Sequence, residues 1–535
     1  MTDFGSFPYP SQRMPVFARN AVATSQPLAT AAGLEALRKG GNAMDAALCM
    51  AIALTVVEPT SNGIGSDAFA IVHDGAALHG FNGSGRSPLK WDTSAFQSVV
   101  PQRGWDPVTV PGAVDAWVEC SRRFGRMPFP ELFDAAIAYA EDGFPVSPVT
   151  AKVWSRASES LSEFEEWRNT FLFDGRPPVV GQSIKLPHHA RTLQLIAESE
   201  GEAFYRGELA GKIEEDARRH GAAMTAQDLA EHSGEWTGTI HTAFHGVDLH
   251  EIPPNGQGLA ALIGLGVLRH LPFRGTALDG PDFYHLQIES MKVAYAEVFA
   301  HLGDPAAMKV SAGELLDDGY LAKHASRIDP QRAGSPATMM PVSSGTVYLC
   351  AADDEGMMVS FIQSNFNGFG SGIVIPGTGI AMQNRGYGFV TTPGHPNVAA
   401  PGKRPFHTII PGFVTAPAES ADPSAHSQMA RMAFGVMGGH MQAQGHVQMV
   451  ARIFGYGQNP QAASDAPRWH VATDGSLLLE EGFSGDVAQE LARRGHRIVE
   501  NQPAGLFGGA QLILKTEDAY CAASDHRKDG CALGF

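Results

Sequence analysis

Apolar residues recur at helical spacing over residues 28–38, Gly40-Gly41 closes the run, and Asn42 stands where an N-cap belongs, with Asp45 three residues on. The stretch 46–57 is apolar on every side, which predicts a buried helix stopped at Glu58-Pro59. A glycine-rich turn over 61–66 then leads into a strand at 68–73, and Asp74-Gly75 turns the chain back through 77–81. Residues 111–221 read mainly as helix, broken near Pro128, Pro145 and Pro177. Residues 241–252 alternate as one strand, and 259–268 read as another helix. Residues 329–342 have the composition of an exposed linker, and 417–427 form a second polar loop. Between them, 346–352 and 357–363 read as two antiparallel strands around a turn at 353–356.

Composition narrows the classes of function. The 535 residues are 44% hydrophobic and 18% charged, ordinary for a soluble globular protein and long enough for a large layered α/β body. A net charge of −17 argues against nucleic acid or an anionic membrane as partner. Five cysteines with no C-x-x-C fit a reducing compartment. Residues 1–15 have Arg13 as their one basic residue and no apolar core of a signal peptide, so the expected location is cytoplasmic.

Several chemistries lack their sequence signatures. No serine lies in a G-x-S-x-G elbow, and there is neither an H-E-x-x-H nor a Cys/His ligand set for zinc. The run 256–261 nearly matches a dinucleotide fingerprint, but Pro253-Pro254 interrupts the required turn and no acid follows at the required distance. The Ser344-Gly345-Thr346 step is different. A threonine freed at its amino end carries both a nucleophilic hydroxyl and an amine of near-neutral pKa that can take the proton. Gly345 places no Cβ beside the carbonyl that this hydroxyl must attack.

Ordered motifs surround that step. They include the run 40–47, Glu58-Pro59, Val110-Pro111-Gly112, 141–147, 346–356, Phe369-Gly370-Ser371-Gly372, 376–380, Gly438-Gly439 and the ending 525–535. In this order the chain resembles the γ-glutamyltranspeptidase (glutathione hydrolase) family over nearly its whole length. The resemblance implies an N-terminal nucleophile hydrolase: an α/β fold, a four-layer αββα sandwich with mainly antiparallel sheets and helical outer layers. It implies a proenzyme that cuts itself between Gly345 and Thr346 into a large subunit, 1–345, and a small subunit, 346–535. The two would stay together as a heterodimer, with room for higher homo-oligomers, acting on a small-molecule amide without cofactor or metal.

Residue by residue, the resemblance makes Thr346 the nucleophile, Ser364 its hydroxyl partner, and Gly438 and Gly439 the oxyanion donors. Asn365 and Asn367 remain as polar groups for the acyl chain, or as turn formers. Three substrate positions depart from the family. The family's arginine is displaced to Arg86, within Ser84-Gly85-Arg86-Ser87-Pro88, where it is either a carboxylate clamp or a surface arginine. The family's serine pair is His407-Thr408. The acid that pairs with a glutamyl ammonium is absent from Gln383-Asn384-Arg385-Gly386-Tyr387-Gly388, which adds Arg385 instead.

The leading expectation is therefore a self-processing hydrolase of γ-glutamyl, glutathione-type amides through an acyl-enzyme, with hydrolysis favoured over transfer. An acylase for des-amino, dicarboxylic monoamides is the first alternative, which Arg86 and Arg385 would suit. An unprocessed binding module of the same fold is the second.

Overall fold

The computed structural model describes residues 12–96, 98–335, 345–417 and 428–535. The cleavage-side residues 336–344 and nearly all of the polar loop 417–427 lie outside this set.

Two seven-stranded antiparallel sheets form the centre. One runs in the spatial order Cys531–Gly534, Ala21–Thr24, Gly345–Ala352, Met358–Phe366, Asp67–His73, Leu78–Asn82, Glu235–Trp236. The other runs Val16–Ala18, Tyr520–Ser524, Gly509–Lys515, Gln428–Met437, Gly412–Pro417, Val247–Glu251, Ile240–Phe244. Alternation along the strands sorts their side chains into layers. Tyr348, Cys350 and Ala352 face the second sheet with Phe69, Ile71, Phe413, Ala433 and Ile513. Val347, Leu349 and Ala351 face outward onto the helix Ala43–Val57. On the far side, Phe434 and Val436 pack with the helices Gly258–Leu268 and Pro281–His301. The result is the four-layer αββα sandwich with antiparallel sheets.

Local chemistry explains the elements that carry the site. Asn42 and Asp45 form a reciprocal capping box, and all fifteen residues of Ala43–Val57 are buried behind the first sheet. The two sheets approach closely where Gly435 lies over Tyr348; a Cβ there would sit 2.4 Å from the ring. The expected single strand over 241–252 is in fact the hairpin Ile240–Phe244 and Val247–Glu251. His245 and Gly246 both take positive φ, 49° and 86°, as a tight two-residue turn requires. Among the described residues, no helix is long and apolar enough to cross a membrane.

Candidate active site

The strand Gly345–Ala352 carries both sides of the predicted cleavage bond. Against its neighbour, Val347 pairs with Gln363 but Gly345 pairs with Phe366, so Thr346 alone opposes Ser364 and Asn365 across a β-bulge. Phe366 closes the bulge at φ 75°, in left-handed space that a phenylalanine rarely occupies. Gly345 fits only as glycine, because a Cβ would lie 2.8 Å from the Gly368 amide nitrogen.

The bulge turns Ser364 onto the threonine. Their hydroxyl oxygens are 3.1 Å apart, and Thr346 is 3% exposed. Ser364 Oγ also donates to the Gly345 carbonyl at 2.6 Å and accepts from the Phe366 amide at 2.8 Å. Arg385, fully buried, donates through Nη2 to Ser364 Oγ at 3.2 Å and through Nη1 to Thr408 Oγ1 at 2.9 Å. Its guanidinium carbon stacks 4.2 Å above the Phe366 ring. The Thr408 carbonyl accepts from Gln257 Nε2 at 2.5 Å, and the same amide nitrogen reaches the Gly439 carbonyl at 2.8 Å. One hydrogen-bonded path thus runs from Ser364, beside Thr346, through Arg385, Thr408 and Gln257 to the glycine pair.

Gly438 and Gly439 take φ values of 137° and 56° at the end of the strand Gln428–Met437. Among the described residues their amides donate to no protein acceptor, the condition an oxyanion hole needs before substrate arrives. His407 is fully buried with its Nε2 donating to Asp67 Oδ2 at 3.0 Å, and the Ile409 amide donates to its Nδ1. Asn365 Oδ1 accepts from Ser66 Oγ at 2.8 Å, while its buried Nδ2 has no partner among the described residues. The Asn367 amide donates to Asn384 Oδ1 at 3.1 Å, which shapes the loop beside Gly345.

Arg86 is not brought to this cluster. It pairs with Asp304 at 3.0 Å and with Glu235 at 3.8 Å, and its side chain is 46% exposed. Between the clamp and surface readings of that residue, the geometry takes the surface one. Sequence reasoning missed Asp67 and Gln257. Gln257 lay inside the rejected dinucleotide-like run, and Asp67 faces Ser364 directly across the sheet.

Burial dominates the electrostatics. It pushes Asp67 up to about 7 despite the opposing guanidinium, and it pulls Arg385 down to about 9 despite the carboxylate. Arg385 therefore keeps its charge at neutral pH. Burial, then Arg385 and Arg404, hold His407 well below the ordinary imidazole value, so it is neutral. Arg385 Nε lies 4.0 Å from Asp67 Oδ2 and makes no hydrogen bond among the described residues. Two of its five N–H groups find acceptors among the described residues.

One further grouping among the described residues has metal-ligand character: His285, Glu289 and His496, on and beside the helix Pro281–His301. Its carboxylate is already paired with Lys292 at 2.7 Å, and the two imidazoles bond each other at 2.9 Å.

A buried threonine at the head of a central strand, in an antiparallel αββα sandwich, defines the class of N-terminal nucleophile hydrolases. The sequence model of gamma-glutamyltranspeptidase matches residues 29–535, and the chain belongs to that family. It is 34% identical to the glutathione hydrolase-like YwrD proenzyme of Bacillus subtilis (strain 168), over 95% of this chain and 97% of that one. It is 33% identical to the oxamate amidohydrolase proenzyme of Klebsiella pneumoniae, with the same shares covered. The crystal structure of cephalosporin acylase from Bacillus halodurans superposes with a TM-score of 0.94 at 45% identity, over 100% of this chain and 99% of that one. The protein is an enzyme, a hydrolase of the N-terminal nucleophile type.

Proposed function

We propose that the chain cuts itself before Thr346 and that the freed threonine splits a side-chain amide of a small carboxylate-bearing acyl group. Thr346 Oγ attacks the carbonyl, the terminal amine accepts its proton, and the Gly438 and Gly439 amides receive the oxyanion. The amine product leaves and water resolves the acyl-enzyme. The continuous hydrogen-bonded path from Ser364, whose hydroxyl lies 3.1 Å from that of Thr346, to Gly439 carries this reading, because it fixes the nucleophile's neighbour and the oxyanion donors in one unit. Glutathione-type γ-glutamyl amides are the first substrate class, supported by the family and by the glutathione hydrolase-like relative.

A specific observation favours a second reading within the same chemistry. The buried Arg385, with three N–H groups unused among the described residues, suits a second carboxylate and opposes an ammonium. A like charge 5 Å away costs about 3 kcal/mol at an effective dielectric near 20. An acylase for dicarboxylic monoamides follows, in keeping with the acylase and oxamate amidohydrolase relatives. Comparing kcat/KM for γ-glutamyl-p-nitroanilide and glutaryl-p-nitroanilide separates the two. Preference for the glutaryl compound supports the acylase, preference for the γ-glutamyl compound supports the glutathione hydrolase, and turnover of neither defeats both.

The small and large subunits would remain a heterodimer. All five cysteines are unpaired, which supports a reducing, cytoplasmic setting.

A further inference from the structure

Ser364 Oγ has more neighbours than a hydroxyl can serve at once, and counting its valences assigns each one. The Phe366 amide at 2.8 Å and Arg385 Nη2 at 3.2 Å can only donate, so they occupy the two lone pairs. The Gly345 carbonyl at 2.6 Å can only accept, so it claims the single proton. Thr346 Oγ1, at 3.1 Å, is left with neither a free lone pair on Ser364 nor its proton. In the uncut chain, then, Ser364 polarises the carbonyl of the bond that joins Gly345 to Thr346.

We propose that Arg385 is a positioning residue for self-cleavage: by donating to Ser364 it turns that serine's proton onto the Gly345 carbonyl. The inference rests on the reading that the chain cuts itself before Thr346. In the step concerned, Thr346 Oγ bonds to the Gly345 carbonyl carbon and negative charge gathers on the carbonyl oxygen, where Ser364 donates. The carbon–nitrogen bond breaks, the hydroxyl proton passes to the departing amine, and an ester remains. Water then cleaves that ester to a Gly345 carboxylate and a free Thr346. Once the carboxylate departs, the Ser364 proton is released to Thr346 Oγ, so one serine serves maturation first and turnover afterwards. Arg385 is suited to the task because it is immobilised at both ends, by Thr408 and by the Phe366 ring, and its charge is buried.

The test is pulse–chase synthesis in a cell-free extract, following the full-length band on denaturing gels. Ser364→Ala should slow cleavage about a hundredfold, the scale seen when one oxyanion donor is removed. Arg385→Gln should slow it about tenfold, and Arg385→Lys, which keeps a charged donor, should stay within about threefold of the parent. The double variant Ser364→Ala/Arg385→Gln should be no slower than Ser364→Ala alone, because Arg385 acts through the serine. Cleavage of Arg385→Gln at the parental rate, equal slowing by Gln and Lys, or multiplication of the two single effects overturns the proposal. Melting of Thr346→Ala with and without Arg385→Gln checks the fold; if Gln lowers it, the Lys variant and its own double with Ser364→Ala decide. A parent chain that never cleaves would instead defeat the self-cleavage reading itself.

Discussion

Two buried arginines in this molecule face carboxylates in opposite ways. Arg527, near the C-terminus, spends every nitrogen: Nε and Nη2 grip Glu480 at 2.6 Å each, and Nη1 reaches Asp525 at 3.1 Å and the Ser464 carbonyl at 2.8 Å. Asp525 is held well below the ordinary carboxylate range by Arg468 and Arg527 against the cost of burial. Arg385 is as deeply buried, yet its nearest carboxylate stands 4.0 Å off and burial drives that acid up to about 7. A charge that the protein satisfies fully holds structure together, whereas a charge left partly satisfied beside a nucleophile is poised for reacting groups.

The largest expected effect lies at the nucleophile. Thr346→Ala should leave the chain whole and lower amidase activity by at least a thousandfold, read by gel and by anilide turnover. Gly438→Ala should come next: a side chain is strained at φ 137° and its Cβ would lie 3.0 Å from the Gly508 Cα. A fall in kcat of about a hundredfold is expected, with melting lowered by the same strain.

The two arginines should then part. Arg527→Gln should destabilise the protein by about 3 kcal/mol, because it strips the buried Glu480 of its ion pair and leaves Asp525 with Arg468 alone, and leave acyl preference unchanged. Arg385→Gln should lower the ratio of glutaryl to γ-glutamyl kcat/KM about tenfold or more. A stability loss at Arg385 as large as at Arg527, without a change of preference, would erase the contrast.

Their acids should respond to pH with opposite signs, a smaller effect. Asp67, raised in the fold, contributes stability that is complete below about pH 4 and lost as pH rises through about 7. Asp525, depressed in the fold, contributes stability that is present above about pH 4 and lost on acidification below it. Melting curves of Asp67→Asn and Asp525→Asn, each in a Thr346→Ala background, measure this. Relative to parent, the first should gain with rising pH between 4 and 7, by at most about 1.4 kcal/mol per pH unit, and the second should recover as pH falls below 4.

Much of the site was legible because its pieces are local in sequence. Gly345-Thr346, Ser364, Gly438-Gly439 and Arg385 with Thr408 all sit in short runs whose order points to them, and the structure joins them. Asp67 and Gln257 were not legible, because tertiary register puts them there: Asp67 pairs with Ser364 across two strands, and the Gln257 amide bonds to the His407 carbonyl at 2.8 Å. Arg86 shows the converse. A type of side chain near the right motif was visible, but the buried Asp304 supplies a closer partner. The hairpin at 240–251 escaped notice because His245-Gly246 lacks the Asn-Gly or Asp-Gly chemistry that announces such turns.

The most direct measurement is intact and amino-terminal mass spectrometry of the purified, active protein. Two chains are expected, the smaller beginning at Thr346. A single uncut chain with full amidase activity, or a new terminus at another residue, would contradict it.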